Sequence, residues 1–154
     1  MTDVLTPAQR HLNMTHIRAK DTGIEKQVRC KLHSDGFRFR LNAKDLPGRP
    51  DVVLPKYRTV IFINGCFWHG HQGCKYYVIP KTNTDFWFSK IEGNINRDEE
   101  NYRKIRQLGW NVIIVWECSL KKIRYQGTIS LLEASIINNG VNSKGEKSNL
   151  KVID

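Results

Sequence analysis

The sequence predicts a mixed α/β domain in which helices cover a central β-sheet. Residues 59–63 and 111–116 are apolar runs, which is typical of strands buried on both faces. Between them, residues 83–109 carry apolar side chains at spacings of three and four, as in a long helix packed on one face. The chain has 154 residues, 40% of them hydrophobic, which suffices for one core of this layered kind.

Two helices are predicted ahead of the sheet. The first begins at Thr6 with an N-cap pattern and Pro in its first turn, and it would run toward Arg18. It is too polar for an ordinary core helix, so residues 1–20 are expected to form an arm. Thr22 and Glu25 form a capping box at the start of the second helix, and Gly36 can end it.

The remaining elements are shorter. Residues 37–41 alternate as a strand does, residues 46–50 form a Gly/Pro turn, and residues 51–54 form a short strand that opens on an acid. A last helix is expected over residues 128–137. The polar sequence after Gly140 predicts a single domain of residues 1–140 and a mobile C-terminal tail of residues 141–154.

The charge of the chain indicates a polyanionic partner. Lys and Arg number 25 against 15 Asp and Glu, which gives a net charge of +10, and the isoelectric point is near 9.6. In so small a domain this favours nucleic acid as the partner. The alternative is a basic protein whose charge serves only solubility.

The expected compartment is the cytoplasm. No apolar run approaches the length of a membrane span, and the first ten residues lack the hydrophobic core of a secretion signal. Four Cys in such a chain favour metal binding over disulfides. Cys30 lies inside the second helix and is expected in the core.

The densest cluster of reactive side chains is residues 66–74, with two thiols and two imidazoles within nine residues. Cys66, His71 and Cys74 have the ligand types and spacing of a zinc site, and Cys118 offers a fourth ligand at the end of the last strand. Four protein ligands would make the site closed and structural. Two alternatives stay open: some thiols are merely buried small side chains, or His69 binds the metal in place of His71.

Three acids and one imidazole are candidates for chemistry. His69, if not a ligand, is a spare imidazole beside a rigid metal centre, which suits a catalytic base. Asp51 could hold Mg²⁺, which needs only one or two carboxylates, or it could cap the turn. Glu25 either completes its capping box or reaches metal-bound water. Asp98 lies on an apolar stripe, so it needs a partner, which is an internal Arg or Lys or an active-site histidine.

Three aromatic side chains accompany these candidates. Phe67 and Trp68 fall in a loop after a strand, where burial in the core is less expected, and Trp87 opens the long helix. The usual place of such side chains is the core. On a basic protein, however, exposed aromatics can wedge between DNA bases, at a cost of a few kcal/mol for each unstacked step.

At these residues the chain resembles the very short patch repair (Vsr) family of DNA mismatch endonucleases. The matching motifs follow the family's order from about residue 7 to residue 120, and their combination is specific although each alone is weak. They are Asn13-Met14, Asp21-Thr22 with Glu25, Leu46-Pro47-Gly48-Arg49-Pro50-Asp51, Gly65-Cys66-Phe67-Trp68-His69-Gly70-His71, Phe86-Trp87, Asn96-Arg97-Asp98, Gly109-Trp110 and Trp116-Glu117-Cys118.

The resemblance implies a restriction-endonuclease-like (PD-(D/E)XK-type) fold with a central mixed sheet and a structural zinc site. It implies a Mg²⁺-dependent nick in double-stranded DNA, 5′ to the thymine of a T:G mismatch that arises when 5-methylcytosine deaminates. An easily opened wobble pair would give selectivity through its deformability. The expected enzyme is a monomer in the bacterial cytoplasm that associates with the nucleoid through DNA. Other mismatch-repair proteins are candidate partners.

The resemblance also implies roles for single residues. Asp51 and the backbone carbonyl of Ile63 would bind Mg²⁺, with Glu25 holding a metal-bound water. His69 would be the base that activates the attacking water, and Asp98 would support its hydrogen bonds. The zinc ligands would be Cys66, His71, Cys74 and Cys118. Phe67, Trp68 and Trp87 would intercalate from the major groove, and Met14 and Ile17 of the arm would reach the minor groove.

The chain departs from the family pattern at three places. Asn64 stands where some members have a second active-site histidine, and since Asn cannot exchange a proton it could at most orient a water or the phosphate. Gln72-Gly73 lengthens the spacing between His71 and Cys74. The acid and lysine of the wider nuclease motif are absent at Ile63 and Gly65.

Two other functions fit parts of the same pattern. A zinc-stabilised DNA-binding module without catalysis would need only the charge, the zinc ligands and the aromatics. A restriction enzyme that cuts both strands is less favoured, because no feature of the sequence indicates dimerisation and one site in a monomer would nick.

Overall fold

The computed structural model describes residues 23–141 and 148–154. Three α-helices and five strands lie within these ranges. In chain order they are α1 (Gly23–Ser34), β1 (Arg40–Leu41), β2 (Val52–Leu54), β3 (Thr59–Asn64), α2 (Thr84–Gln107), β4 (Asn111–Trp116), α3 (Lys122–Val141) and β5 (Leu150–Ile153). Short 3-10 turns, Pro55–Tyr57 and Glu117–Leu120, follow β2 and β4.

The five strands form one mixed sheet in the order β1-β2-β3-β4-β5. The first three strands pair antiparallel, while β3 pairs parallel with β4 and β4 pairs parallel with β5. The helix α2 makes the crossover between β3 and β4, which is the connection that parallel neighbours require. The start of β2 and the ends of β3 and β4 therefore meet at one end of the sheet.

Apolar cores lie on both faces of the sheet. On one face, side chains of α1 and α3 such as Leu32 and Leu132 pack on Ile61 and Ile113. On the other face, Tyr102 and Ile105 of α2 pack on a second set of strand residues. The central strands β3 and β4 are thus covered on both sides, which explains their unbroken apolar sequences and confirms that prediction.

The long helix follows the predicted stripe. Ile91, Tyr102 and Ile105 are buried, and Trp87, Ile95 and Asp98 are partly buried at the same helical spacing. A stripe of this period holds α2 against the sheet and the loop that follows β3. Asp98 is therefore fixed on the inner face of the helix.

The structure corrects three predictions, and a fourth concerns residues outside the described ranges. Leu150–Ile153, expected in a mobile tail, forms strand β5 on the edge of the sheet. The last helix is longer than predicted. Its first turns are mostly polar, so the sequence there shows no clear helical pattern of apolar residues. Cys30 is exposed on α1 and does not belong to the core. The predicted arm, including Met14 and Ile17, lies outside the described residues.

No helix in the described part of the chain combines the length and the apolar character that a membrane crossing would need.

A carboxyl pair between α1 and α3 makes stability depend on pH. Burial raises the pKa of Glu133 to about 7, and its hydrogen bond with Asp35 acts in the same direction. The folded protein therefore holds a proton that the unfolded chain releases near its ordinary pKa of 4.5, so stability should fall as pH rises from about 4.5 to 7. We expect Glu133→Gln to melt near the wild-type temperature at pH 5 and above it at pH 8.

Thermal melts of both proteins across this range test the prediction, and the difference between them isolates the substituted group. Asp45→Asn, at an exposed carboxylate, is the control and should melt in parallel with the wild type. A Glu133→Gln curve that also stays parallel from pH 5 to 8 would contradict the account.

Candidate functional site

Asp51 lies where β2 begins beside the end of β3. Its backbone N–H donates to the carbonyl of Ile61 at 3.0 Å, and its Oδ2 accepts a hydrogen bond from the backbone N–H of Ile63 at 2.7 Å. The Gly/Pro turn before β2 thus aims the carboxylate across the sheet toward β3. The predicted short strand that opens on an acid is thus present, while a metal-binding role for Asp51 stays a prediction.

Asp51 is a largely buried acid whose charge interacts with that of Glu25. Burial raises the pKa of its carboxyl to about 7; the hydrogen bond from Ile63 opposes this rise, while the charge of Glu25 adds to it. Glu25 is itself buried in the first turn of α1. Two buried acids that interact in this way gain from a divalent cation between them, since Mg²⁺ takes oxygen ligands from one or two carboxylates.

His69 and Asp98 form the second part of the site. The Nδ1 of His69 lies 2.6 Å from Oδ2 of Asp98, so the partner of the acid on the apolar stripe of α2 is an imidazole. The charge of His69 lowers the pKa of the Asp51 carboxyl, so the His69–Asp98 pair lies close to the carboxylates. A carboxylate on Nδ1 orients the ring and leaves Nε2 to exchange a proton, which is the arrangement of a general base.

Asn64 ends β3 and is buried. Its Nδ2 donates to the hydroxyl of Tyr102 on α2 at 2.8 Å. Burial raises the pKa of Tyr102, and the charge of Asp98 one helical turn away raises it further. The Asn64 amide is therefore joined to the helix that carries Asp98.

The three predicted aromatic residues form one cluster, and two of them directly precede His69 in the chain. Ring centroids of Phe67 and Trp68 are 5.2 Å apart, and both rings meet Trp87 edge-on at 5.5 and 5.8 Å. All three are only partly buried, so the cluster presents aromatic surface to the solvent. Edge-on packing of this kind keeps the rings in fixed orientations.

Two contacts fix the loop that carries these rings. Asn94 of α2 donates to the backbone carbonyl of Trp68 at 2.9 Å. Gly70 has a φ of +64°, and a Cβ at this position would lie 2.6 Å from Ile95 and 2.9 Å from Ile91. Only glycine permits so close an approach to α2 in this backbone conformation, so the loop sits directly on the helix.

The four predicted zinc ligands come together in the structure. The donor atoms of Cys66, His71, Cys74 and Cys118 all lie within 4.8 Å of one another. Three sulfurs and one imidazole nitrogen are a donor set that tetrahedral zinc favours. Burial raises the pKa of the Cys66 thiol to about 12, and a dication among the sulfurs is what allows such buried thiols to ionise.

The choice between the two histidines follows from the same geometry. His71 directs its Nδ1 toward Cys118, 3.5 Å away, and its ring stacks on Trp116. His69 faces Asp98 instead. The alternative in which His69 replaces His71 among the metal ligands therefore finds no support in the arrangement.

Comparison with known proteins gives consistent matches. Residues 2–75 match the family model of the DNA mismatch endonuclease Vsr. The chain is 42% identical to the DNA mismatch endonuclease Vsr of Escherichia coli over 147 residues, which cover 94% of each chain. It is also 49% identical to the type II nicking enzyme V.XorIIP of Xanthomonas oryzae pv. oryzae over 123 residues, covering 80% of this chain and 90% of the relative.

The chain belongs to the Vsr family. It is accordingly a DNA endonuclease, a hydrolase of the nicking class. The acids, the imidazole and the aromatic cluster described above are thus parts of a nuclease of this family, on a mixed sheet whose two core faces are both covered.

The structure adds residues that sequence reasoning missed. Phe86 packs on Trp87 with a centroid distance of 5.2 Å and is 60% exposed, so it extends the aromatic surface of this Vsr-family protein. Asn94 holds the loop through its hydrogen bond to Trp68, and Tyr102 holds Asn64. The pattern of α2 already placed Tyr102 on the inner face, but no local signal identified its partner.

Proposed function

We propose that this protein is a Mg²⁺-dependent endonuclease that nicks duplex DNA on the 5′ side of the thymine in a T:G mismatch. The observation that carries the proposal is the meeting of the Asp51–Glu25 carboxylates with the His69–Asp98 pair at one end of the sheet. A relative named as a mismatch endonuclease, and others named as nicking enzymes, support the substrate and the outcome. The fold that fits is the restriction-endonuclease-like one, with the acid at the head of β2.

Asp51 and the backbone carbonyl of Ile63 would hold the Mg²⁺, and Glu25 would accept a hydrogen bond from water around it. Bound there, the ion would polarise the scissile phosphate and neutralise the charge that develops on it. The hydrogen bond from Ile63 occupies Oδ2 of Asp51 and fixes the plane of the carboxylate. Because this carboxyl has a raised pKa, it must lose its proton before it can act as a ligand.

His69 moves the proton in the hydrolytic step. Its Nε2 accepts a proton from the water whose oxygen forms the new bond to phosphorus, while the bond to the leaving oxygen breaks. The 2.6 Å contact with Asp98 keeps the other proton on Nδ1 and stabilises the imidazolium that forms. Asn64, anchored by Tyr102, lies next to the loop and would orient a water or the phosphate.

The aromatic cluster recognises the mismatch. Phe67, Trp68 and Trp87 insert beside the weak T:G pair from the major groove, where unstacking costs least. A structural zinc bound by Cys66, His71, Cys74 and Cys118, together with the contacts between the loop and α2, holds these rings in place while they enter the stack. Met14 and Ile17 of the arm reach the minor groove, and the net charge of +10 supplies attraction for the phosphates.

One site in one chain predicts a single cut. In a duplex whose two strands bear different end labels, we expect the monomer to cleave only the strand that carries the mismatched thymine. Equal cleavage of both strands would instead indicate a restriction enzyme that acts as a dimer. Binding without any product, in every metal tested, would indicate a DNA-binding module.

Asp98→Asn tests the role assigned to the imidazole. An amide on Nδ1 can accept or donate a hydrogen bond, so it no longer enforces one tautomer of His69 or stabilises its charged form. We expect the single-turnover nicking rate to fall at least about 100-fold, in the range that general bases contribute, while DNA affinity stays unchanged. Rapid-quench assays of nicking and fluorescence anisotropy of DNA binding measure the two effects.

The matched control is Glu99→Gln, which removes one charge from the exposed face of the same helix. It should leave the nicking rate within a factor of about three, since surface changes of this kind are worth about 0.5 kcal/mol. A rate for Asp98→Asn as high as that of the control would show that Asp98 does not support His69 in the hydrolytic step.

A further inference from the structure

We propose that Asp154 is a positioning residue of the zinc site, where its carboxylate holds the imidazole of His71 from outside the coordination shell. This inference rests on the structural zinc of the proposed function. It makes strand β5, at the far edge of the sheet, a functional part of the metal centre.

The register of the sheet places Asp154 next to His71. In the parallel ladder of β4 and β5, Val115 pairs with Ile153. The next residues along the two strands are Trp116 and Asp154, and Trp116 stacks on the His71 ring with a centroid distance of 4.2 Å and an angle of 5° between planes. The Oδ2 of Asp154 thereby comes to 3.4 Å from Nε2 of His71.

The two ring nitrogens of His71 then have different tasks. Nδ1 faces the sulfur cluster, 3.5 Å from Cys118, so its lone pair is the one available to zinc. The ring proton must therefore sit on Nε2, from which it is donated to Asp154. A carboxylate in this position fixes the tautomer and the ring plane and raises the basicity of the ligand nitrogen.

The environment of the contact suits this role. The His71 side chain is 11% exposed and held between the thiols and Trp116, whereas the Asp154 side chain is 62% exposed. Removal of the carboxylate therefore leaves no buried cavity, and β5 keeps its backbone pairing with β4. A change in zinc retention in such a variant would report on the hydrogen bond and not on collapse of the site.

The test is the rate of zinc release from purified full-length protein into an excess of a chromophoric chelator. For Asp154→Ala and Asp154→Asn we expect release 10- to 100-fold faster than for the wild type, which is the usual effect of removing an outer partner of a metal ligand. Asp45→Asn is the matched control, because its carboxylate is similarly exposed at 64% and its ion-pair partner is Arg40, which is not a metal ligand.

Three results would overturn the inference. Release from both Asp154 variants at the wild-type rate would show that the carboxylate does not act on His71. Equal acceleration in Asp45→Asn would show a general effect of charge. A wild-type protein that contains no zinc as purified would instead refute the structural zinc of the proposed function, and this inference with it. Hydrogen exchange at residues 150–153 verifies that β5 stays paired in the variants.

Discussion

Asp51→Asn is expected to lose nicking activity by at least about 1,000-fold while the protein folds and binds DNA. The lost contribution is that of a metal at the scissile phosphate, several kcal/mol of transition-state stabilisation, and about 1.4 kcal/mol corresponds to each tenfold in rate. Asparagine keeps an oxygen that can accept the hydrogen bond from Ile63, so the turn before β2 should survive. Single-turnover nicking and DNA-binding assays separate the two properties.

The same variant should not be less stable than the wild type. Burial raises the pKa of the Asp51 carboxyl to about 7, so its ionised form destabilises the folded protein above that pH. A neutral side chain removes this cost, and the melting temperature at pH 8 should stay equal or rise. Loss of activity together with unchanged or higher stability is the signature of a functional group held at the expense of folding.

Asp45→Asn is the control for this experiment as well, because it removes an exposed acid from the preceding loop. It should nick at nearly the wild-type rate. Full activity of Asp51→Asn would reassign Asp51 as a structural turn residue, which is the alternative that the local sequence left open.

Cys118→Ser is expected to have the largest effect on folding. Cys118 follows β4 and meets Cys66, His71 and Cys74, so it ties the end of one central strand to the loop after another. Structural zinc contributes folding free energy directly. If the variant loses its zinc and about 4 kcal/mol of the free energy of unfolding, its melting temperature falls by about 8–16 °C, because each kcal/mol corresponds to about 2–4 °C in a chain of this size.

The chain offers a matched control in its remaining cysteine. Cys30 is exposed on α1 and lies outside the thiol cluster, so Cys30→Ser should keep one equivalent of zinc and the wild-type melting temperature. Zinc analysis and thermal melts of both variants provide the test. A Cys118→Ser protein with full zinc and an unchanged melt would contradict the assignment of this ligand.

Most of the sheet and the long helix could be predicted from the sequence because their patterns are strong and their elements long. Strands β3 and β4 are unbroken apolar runs, and α2 carries a clear helical stripe. Strand β5 was missed because three of its four residues are exposed and alternate little in polarity, so only pairing with β4 reveals it. Cys30 was misplaced because a helical position alone does not say which face is buried.

In the candidate site too, local patterns could be predicted from the sequence, while contacts between separate elements could not. The residue types and spacing of Cys66, His71 and Cys74 predicted a metal cluster, since ligands close in sequence need little knowledge of the fold, but the choice between His69 and His71 needed the structure. The partner of Asp98 was predicted only as one of several, and the pairing of Asn64 with Tyr102 was not predicted. Contacts of this kind depend on how α2 sits on the sheet, which no local pattern specifies.

Mismatch-specific nicking is tested by cleavage of two end-labelled duplexes that differ only in a T:G or C:G pair at one position, each with Mg²⁺ or EDTA. The pair should be placed in several contexts around methylated-cytosine sites. We expect a single nick before the mismatched thymine, in the T:G duplex alone and only with Mg²⁺. Equal cleavage of both duplexes, or cleavage that persists in EDTA, would contradict this expectation.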